Sequence, residues 1–286
     1  MLRAALSSSD PFFHSCLYDA LIDMGEVSTL LSSGAPHLEA YLVANSGCGG
    51  ALQAAAAAGM LHGSEGALLA MPPVGPLTAQ QLNLANLLAK LYIGQQRFRE
   101  AAILYTALGM RASGAGERAV TLGQRVKSLQ LAVLQAKSAG DAGLAEKLEA
   151  DARLMGYQAD VASRLSSAAA AAAQGSAEAS QLSRMASDLA SGLRDVSEMY
   201  NDYTQPQRMW DICLQLVDFA GGVVDSTLVR NLWDHTLLAA WEGTLQGSQP
   251  GSGRPASGVP QSLAQLSEVL PVVERLGSQF YPSESR

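Results

Sequence analysis

Four histidines and three cysteines are the most reactive side chains in this sequence, and their spacing offers none of the chemistries they perform elsewhere. His14, His37, His62 and His235 stand apart, with no H-x-x-x-H step to place two metal ligands on one helical face, so no metal site is expected. Cys16, Cys48 and Cys213 are odd in number, widely separated and without a C-x-x-C pair. That pattern points neither to a disulfide framework nor to zinc, and it fits a reducing compartment. Cys16 and Cys213 fall among apolar helical positions, where a free thiol behaves as a small hydrophobe. A helical hydrolase built on either would need a thiol of depressed pKa beside a histidine, and neither is assigned a nucleophile's role. His14, following Phe12-Phe13 at a helix start, reads as a packed or capping histidine.

The phosphate-binding and nucleophile motifs are also missing: there is no G-x-S-x-G elbow, no Walker loop and no G-x-G-x-x-G after a strand. Trp233-Asp234 is a WD dipeptide, but it lies in a helical pattern without the strand repeats of a propeller. No catalytic, cofactor-binding or metal-ligating residue is assigned, no cofactor is expected, and no partner-binding residue can be named. The expectation is a protein that is not an enzyme.

Composition narrows the class. Ala and Leu supply most of the apolar share, with few aromatic or β-branched residues, which is the balance of helices. The 286 residues leave domain number open, and 19 basic against 26 acidic residues give a formal charge of −7. The basic residues are scattered singly, so no direct nucleic-acid binding is expected. The first residues form no export signal, and no run of about 18 apolar residues forms a transmembrane segment.

The elements follow from caps and periodicity. Asp10-Pro11 opens a first helix to about Met24, with Phe13, Leu17 and Leu21 on one face and Gly25 as its stop. Short helices follow near Val27 to Leu31 and His37 to Ala44, making residues 10–45 a short-helix segment. Residues 46–77 turn to Gly, Ala and Pro and read as a poorly ordered insertion. Thr78 with Gln81 forms a capping box for a helix to Gly94, and Phe98 to Leu108 completes a helical pair. Another helix carries Leu122, Val126, Leu129 and Val133 to Ser138, where Ala139-Gly140-Asp141 stops it and caps the next. Two long helices are predicted near 141–203, the first to about Ala173 and the second from Ser176 through Tyr200. Thr204-Gln205-Pro206 starts a further helix to Gly221-Gly222, and Asp225 caps a last one that ends near Trp241. Residues 242–260 read as a flexible linker, and 261–286 as a terminal helix kinked at Pro271 with a truncated end. The fold class is all-α, an irregular α-solenoid of stacked antiparallel helical pairs over 78–241.

Three blocks of this text, in this order, resemble one family. The first is Asp10-Pro11-Phe12-Phe13-His14 with Leu17-Tyr18, then Leu30-Leu31 and Pro36-His37-Leu38-Glu39, similar to D-x-F-F-H-x-x-L-Y, L-L and P-x-L-E. The second runs from Leu87 through Arg97-Phe98-Arg99-Glu100-Ala101-Ala102 to Gln135-Ala136-Lys137-Ser138. The third joins Met199-Tyr200-Asn201-Asp202-Tyr203, Trp210-Asp211-Ile212-Cys213 and Leu228-Val229-Arg230-Asn231-Leu232-Trp233. They are similar to the C-terminal helical solenoid of the inner-ring scaffold nucleoporins of the nuclear pore complex, the 155-kilodalton class of the non-repetitive nucleoporin family. The resemblance implies a structural protein of the nuclear envelope that supports nucleocytoplasmic transport of protein and mRNA. Its implied partners are other inner-ring scaffold nucleoporins and linker nucleoporins. The family's membrane contact lies in an N-terminal propeller that this sequence lacks.

The alternative reading is a cytosolic tetratricopeptide-like peptide-binding adaptor, motivated by the helical pair from Tyr92 to Leu108. It requires a 34-residue repeat, and no such period is present.

Overall fold

The structure is a computed structural model that describes residues 6, 8, 10–35, 37–57, 75–111, 120–172, 175–221, 226–247, 270–271, 273–275 and 277–278, with side chains up to 239 in the last long helix. Every regular element among them is a helix. The chain divides into two compact units, Met1–Leu193 and Arg194–Arg286.

In the first unit, α1 (Pro11–Asp23) starts where Asp10 accepts the Phe12 amide at 3.0 Å and Pro11 occupies a position that needs no donor. Short helices α2 (Val27–Ser32) and α3 (Leu38–Asn45) follow. Next comes α4 (Gly49–Ala57), inside the stretch expected to be poorly ordered. Alanine is the best helix former, and here it also packs: Ala51 and Ala55 are buried, with Cys48 just before them. Within that expected insertion, residues 58–74 lie outside the described residues, while Leu77 at its end is buried in the core.

Helices α5 (Ala79–Gly94), α6 (Phe98–Met110), α7 (Leu122–Ser138), α8 (Ala142–Ala171) and α9 (Ala177–Ser191) each pack on the next, forming the solenoid. The predicted capping box of Thr78 and Gln81 is present, and Thr121 with Gln124 repeats it at the start of α7. Gly140 turns at φ +72° and Asp141 accepts the Leu144 amide, which reverses the chain from α7 into α8. Helix α6 is buried continuously from Ala101 to Gly109 because α4, α5 and α7 all cover it. Small residues set the spacing: Ala85 and Ala89, Ala101 and Ala102, Ala132 and Ala136 lie in one core with Leu88, Leu104, Leu108 and Leu148.

The second long helix ends at Ser191 and does not continue to Tyr200. Gly192 is extended, and the side chains of two earlier helices take over the carbonyls that another turn would have used. Arg125 Nη2 donates to Ser191 O at 3.3 Å, and Gln158 Nε2 donates to Leu189 O and, at 2.6 Å, to Gly192 O.

The second unit opens with α10 (Val196–Glu198), capped by Asp195, which runs directly into a π-helical segment, Met199–Thr204. The next helix, α11 (Trp210–Ala220), begins six residues later than Thr204, the expected start. Pro206 explains the delay. It has no amide to donate, and the flanking bonds, Gln205 N to Tyr200 O and Met209 N to Thr204 O, each span five residues, leaving Arg208 at φ +55°. Helix α12 (Ser226–Gly247) extends past Trp241, where its end was expected. Cys213, Leu214 and Leu232 form the core of this unit, with Tyr200, Trp210, Val217, Val229 and Trp233 around them. Asp225, the predicted cap, and residues 248–269 lie outside the described residues.

Candidate partner-binding surface

The first sequence block folds into a network of rings that fixes α1 against α3. His14 is fully buried, and its Nε2 lies 2.7 Å from Ser8 O. A carbonyl only accepts, so Nε2 carries a proton, and the hydroxyl of Tyr18 sits 3.2 Å from Nδ1. The His37 ring packs edge-on 5.1 Å from His14, and Tyr41 packs edge-on 5.4 Å from Tyr18. Tyr41 then donates its hydroxyl to Asp19. The structure thus brings His14 and His37 together as packing partners. Tyr18→Phe is expected to cost about 2 kcal/mol in urea unfolding, because it removes the phenol's hydrogen bonds with His14 and with the His37 backbone.

These elements frame two recesses. One, of about 300 Å³, is lined by Ser15, Asp19, Tyr41, Asn45, Gln80, Gln81 and Leu84. The other is a groove of about 650 Å³ between the α2–α3 turn and the end of α5, with Leu31, Ala35, Leu38 and Leu91 as apolar lining and Glu39 and Lys90 as charges. Arg97 binds Glu39 beside this groove: its Nη1 lies 2.9 and 2.8 Å from the two Glu39 oxygens. Its Nε reaches Glu100 at 2.8 Å, and the guanidinium lies 4.5 Å from the centre of the Tyr92 ring. A third, open cleft of about 470 Å³ lies between the end of α8 and α9, where Ala169 and Ala170 of the alanine run face Ser183, Ala186 and Ser187.

Burial, and then the charge of Glu39, push the Tyr92 phenol from 10 up to about 12. A phenol raised in the folded state contributes stability that is complete below pH 10 and disappears as pH climbs towards 12. The urea midpoint is therefore expected to fall more steeply across that window for the natural chain than for Tyr92→Phe.

The thiols separate by burial. Cys16 is exposed, whereas Cys48 and Cys213 are buried. Burial pushes Cys48 from 9 up to about 11, outweighing the nearby Arg111, and pushes Cys213 up as well. That shift lowers the Cys48 thiolate population about 100-fold. Maleimide labelling of the folded chain is expected to modify Cys16 first and to reach Cys48 and Cys213 only with unfolding. Rapid labelling of Cys213 would restore the hydrolase reading. Among the described residues, no three His, Cys, Asp or Glu side chains gather as metal ligands, and no helix is long and apolar enough to cross a membrane.

Sequence reasoning missed Arg125 and Gln158, the buried pair that holds the end of α9. A signal was present: Arg125 stands three residues after Leu122 and four before Leu129, on the apolar stripe of α7.

Several solved structures share this fold. The C-terminal domain of Chaetomium thermophilum Nup170, solved in complex with Nup145N, is 20% identical with a TM-score of 0.65, over 98% of this chain and 48% of that one. The same domain solved alone gives 20% identity and a TM-score of 0.63, over 98% and 46%. The longer Nup170 SOL gives 17% and 0.64, over 97% and 32%. The chain thus spans about half the length of the Nup170 C-terminal domain it matches. The family model described as "Non-repetitive/WGA-negative nucleoporin C-terminal" matches residues 1–285, so this chain belongs to the non-repetitive nucleoporin C-terminal family.

Proposed function

We propose that this chain is a structural scaffold segment of the inner ring of the nuclear pore complex, at the nuclear envelope, supporting nucleocytoplasmic transport by holding architecture and binding other nucleoporins. The observation that carries this reading is the family match along residues 1–285. A solenoid suits the role physically: stacked helices hold a fixed curvature, and the recesses between them receive partner segments. The Nup170 domain that shares this fold was solved with Nup145N, and a corresponding linker nucleoporin is the partner proposed here, together with inner-ring scaffold proteins. Neither turnover nor direct nucleic-acid binding forms part of this role. The tetratricopeptide-like adaptor is not favoured, because α5 to α9 run from 13 to 30 residues and form no constant repeat.

A pull-down of the tagged chain from a nuclear-envelope extract of its own organism, read by mass spectrometry, tests the reading. Inner-ring scaffold and linker nucleoporins are the expected catch. Recovery of cytosolic chaperones or unrelated peptide clients alone would replace it with the adaptor.

A further inference from the structure

The smaller recess beside α1 is lined by one carboxylate and by uncharged side chains, with no cation among them. Asp19 enters it and accepts one hydrogen bond, from Tyr41. Among the described residues neither Asp19 nor Asp23, one turn further along α1, forms an ion pair, and both carboxylates act on Tyr41, whose phenol is pushed up by burial first and by these two charges after it. Asn45 spends its amide nitrogen on Tyr41 O at 2.8 Å, which leaves its side-chain oxygen to accept. The exposed Gln80 brings a second amide oxygen to the rim. No basic side chain lines the space, while Leu84 and the Tyr41 ring give it an apolar wall.

Such a space fits a planar cation on an aliphatic stem. A guanidinium carries five donors in a fixed fork, against a carboxylate and two amide oxygens that fan out from three helices, and its methylene stem lies on Leu84 and Tyr41. The same face of α1 supplies a second contact. Positions 12, 15, 19 and 23 are spaced three and four apart, so Phe12 heads the stripe that ends at Asp23. Phe12 is 77% exposed, a large apolar surface beside a charged recess. Seven residues separate Phe12 from Asp19, about 10 Å along the helix, a distance that a polyproline II peptide covers in about three residues, one full turn, so that both of its side chains face α1.

We propose that the recess formed by Asp19, Tyr41, Asn45 and Gln80 is a docking site for an arginine side chain of a partner segment, which in polyproline II form lays an apolar residue three positions away on Phe12. The proposal deepens the scaffold reading and rests on it only for the partner being a nucleoporin; the site chemistry stands on the recess itself.

The test uses the full, isotopically labelled chain and four capped tetrapeptides: Arg-Ala-Ala-Leu, its reverse, and both with citrulline in place of arginine. An arginine peptide is expected to move the side-chain amides of Asn45 and Gln80 and the resonances of Tyr41 and Phe12, and its citrulline counterpart to leave them in place. Asp19→Asn, at an exposed position, is expected to weaken that binding about tenfold, the loss of one charge-assisted hydrogen bond. Equal shifts from citrulline, shifts confined to the groove around Leu31 and Lys90, or no shift at millimolar peptide would each overturn the proposal. If the chain still retains nucleoporins from extract while the peptides fail, this site falls and the scaffold reading stands. If an arginine peptide binds and no nucleoporin is retained, the site stands and the scaffold reading falls.

Discussion

Arg125→Ala is expected to destabilise the first unit by about 4 kcal/mol and Arg125→Met by only about 1 kcal/mol, read from urea unfolding. The difference comes from what surrounds the side chain. Arg125 is 1% exposed, so its charge has left water, and the carbonyl of Ser191 at the C-terminus of α9 is its hydrogen-bond partner. A helix C-terminus carries partial negative charge and stands in for a carboxylate there. That compensation is incomplete: Nε has no partner, burial pushes the guanidinium down, and the neighbouring Arg111 cation pushes it further. Alanine opens a cavity in the largest fully buried position and removes the hydrogen bond to Ser191. Methionine fills most of that space and removes both the desolvated charge and its repulsion with Arg111, so only one hydrogen bond is lost. If the two variants were equally destabilised, the hydrogen bond and not the volume would hold α9.

Gly109→Val is expected to cost about 3 kcal/mol, and Gly109→Ala less, because α6 and α7 meet at this glycine. A Cβ at Gly109 would lie 2.8 Å from Leu129 Cγ and 2.9 Å from Cδ2, closer than van der Waals contact, with Arg125 O at 3.4 Å. Leu129 is fully buried and has no free side to move towards. The backbone here is ordinary helix, so the constraint is space alone. Leu129→Ala introduced into the Gly109→Val chain should restore part of the loss, making the double variant less destabilised than the sum of the single ones. Simple additivity would mean that the two helices separate without local compensation.

Both sites lie where helices meet, and that is where the sequence was hardest to read. Caps and stops were legible: Asp10-Pro11, Thr78 with Gln81, and Gly140-Asp141 each mark a boundary through local hydrogen bonds. The end of α9 was not legible, because the groups that stop it, Arg125 and Gln158, come from helices 66 and 31 to 34 residues earlier. Pro206 was visible and was taken as a helix start; its effect on the preceding turn, a shift to five-residue bonds, depends on how Met199–Thr204 is already held. The alanine run from Ala54 was taken for insertion text because composition alone does not show that Ala55 faces a neighbouring helix. Of the candidate surface, His14 was foreseen as packed or capping, but the recess between Asp19 and Gln80 was not, since its lining comes from three separate helices.

The most direct test of the scaffold role is isothermal titration of the purified chain with the segment of a linker nucleoporin from its own organism that corresponds to Nup145N. Saturable binding at one site is expected, abolished when the chain is unfolded and retained by chains altered only at Cys16. Absence of binding by a chain that still unfolds cooperatively in urea would contradict it.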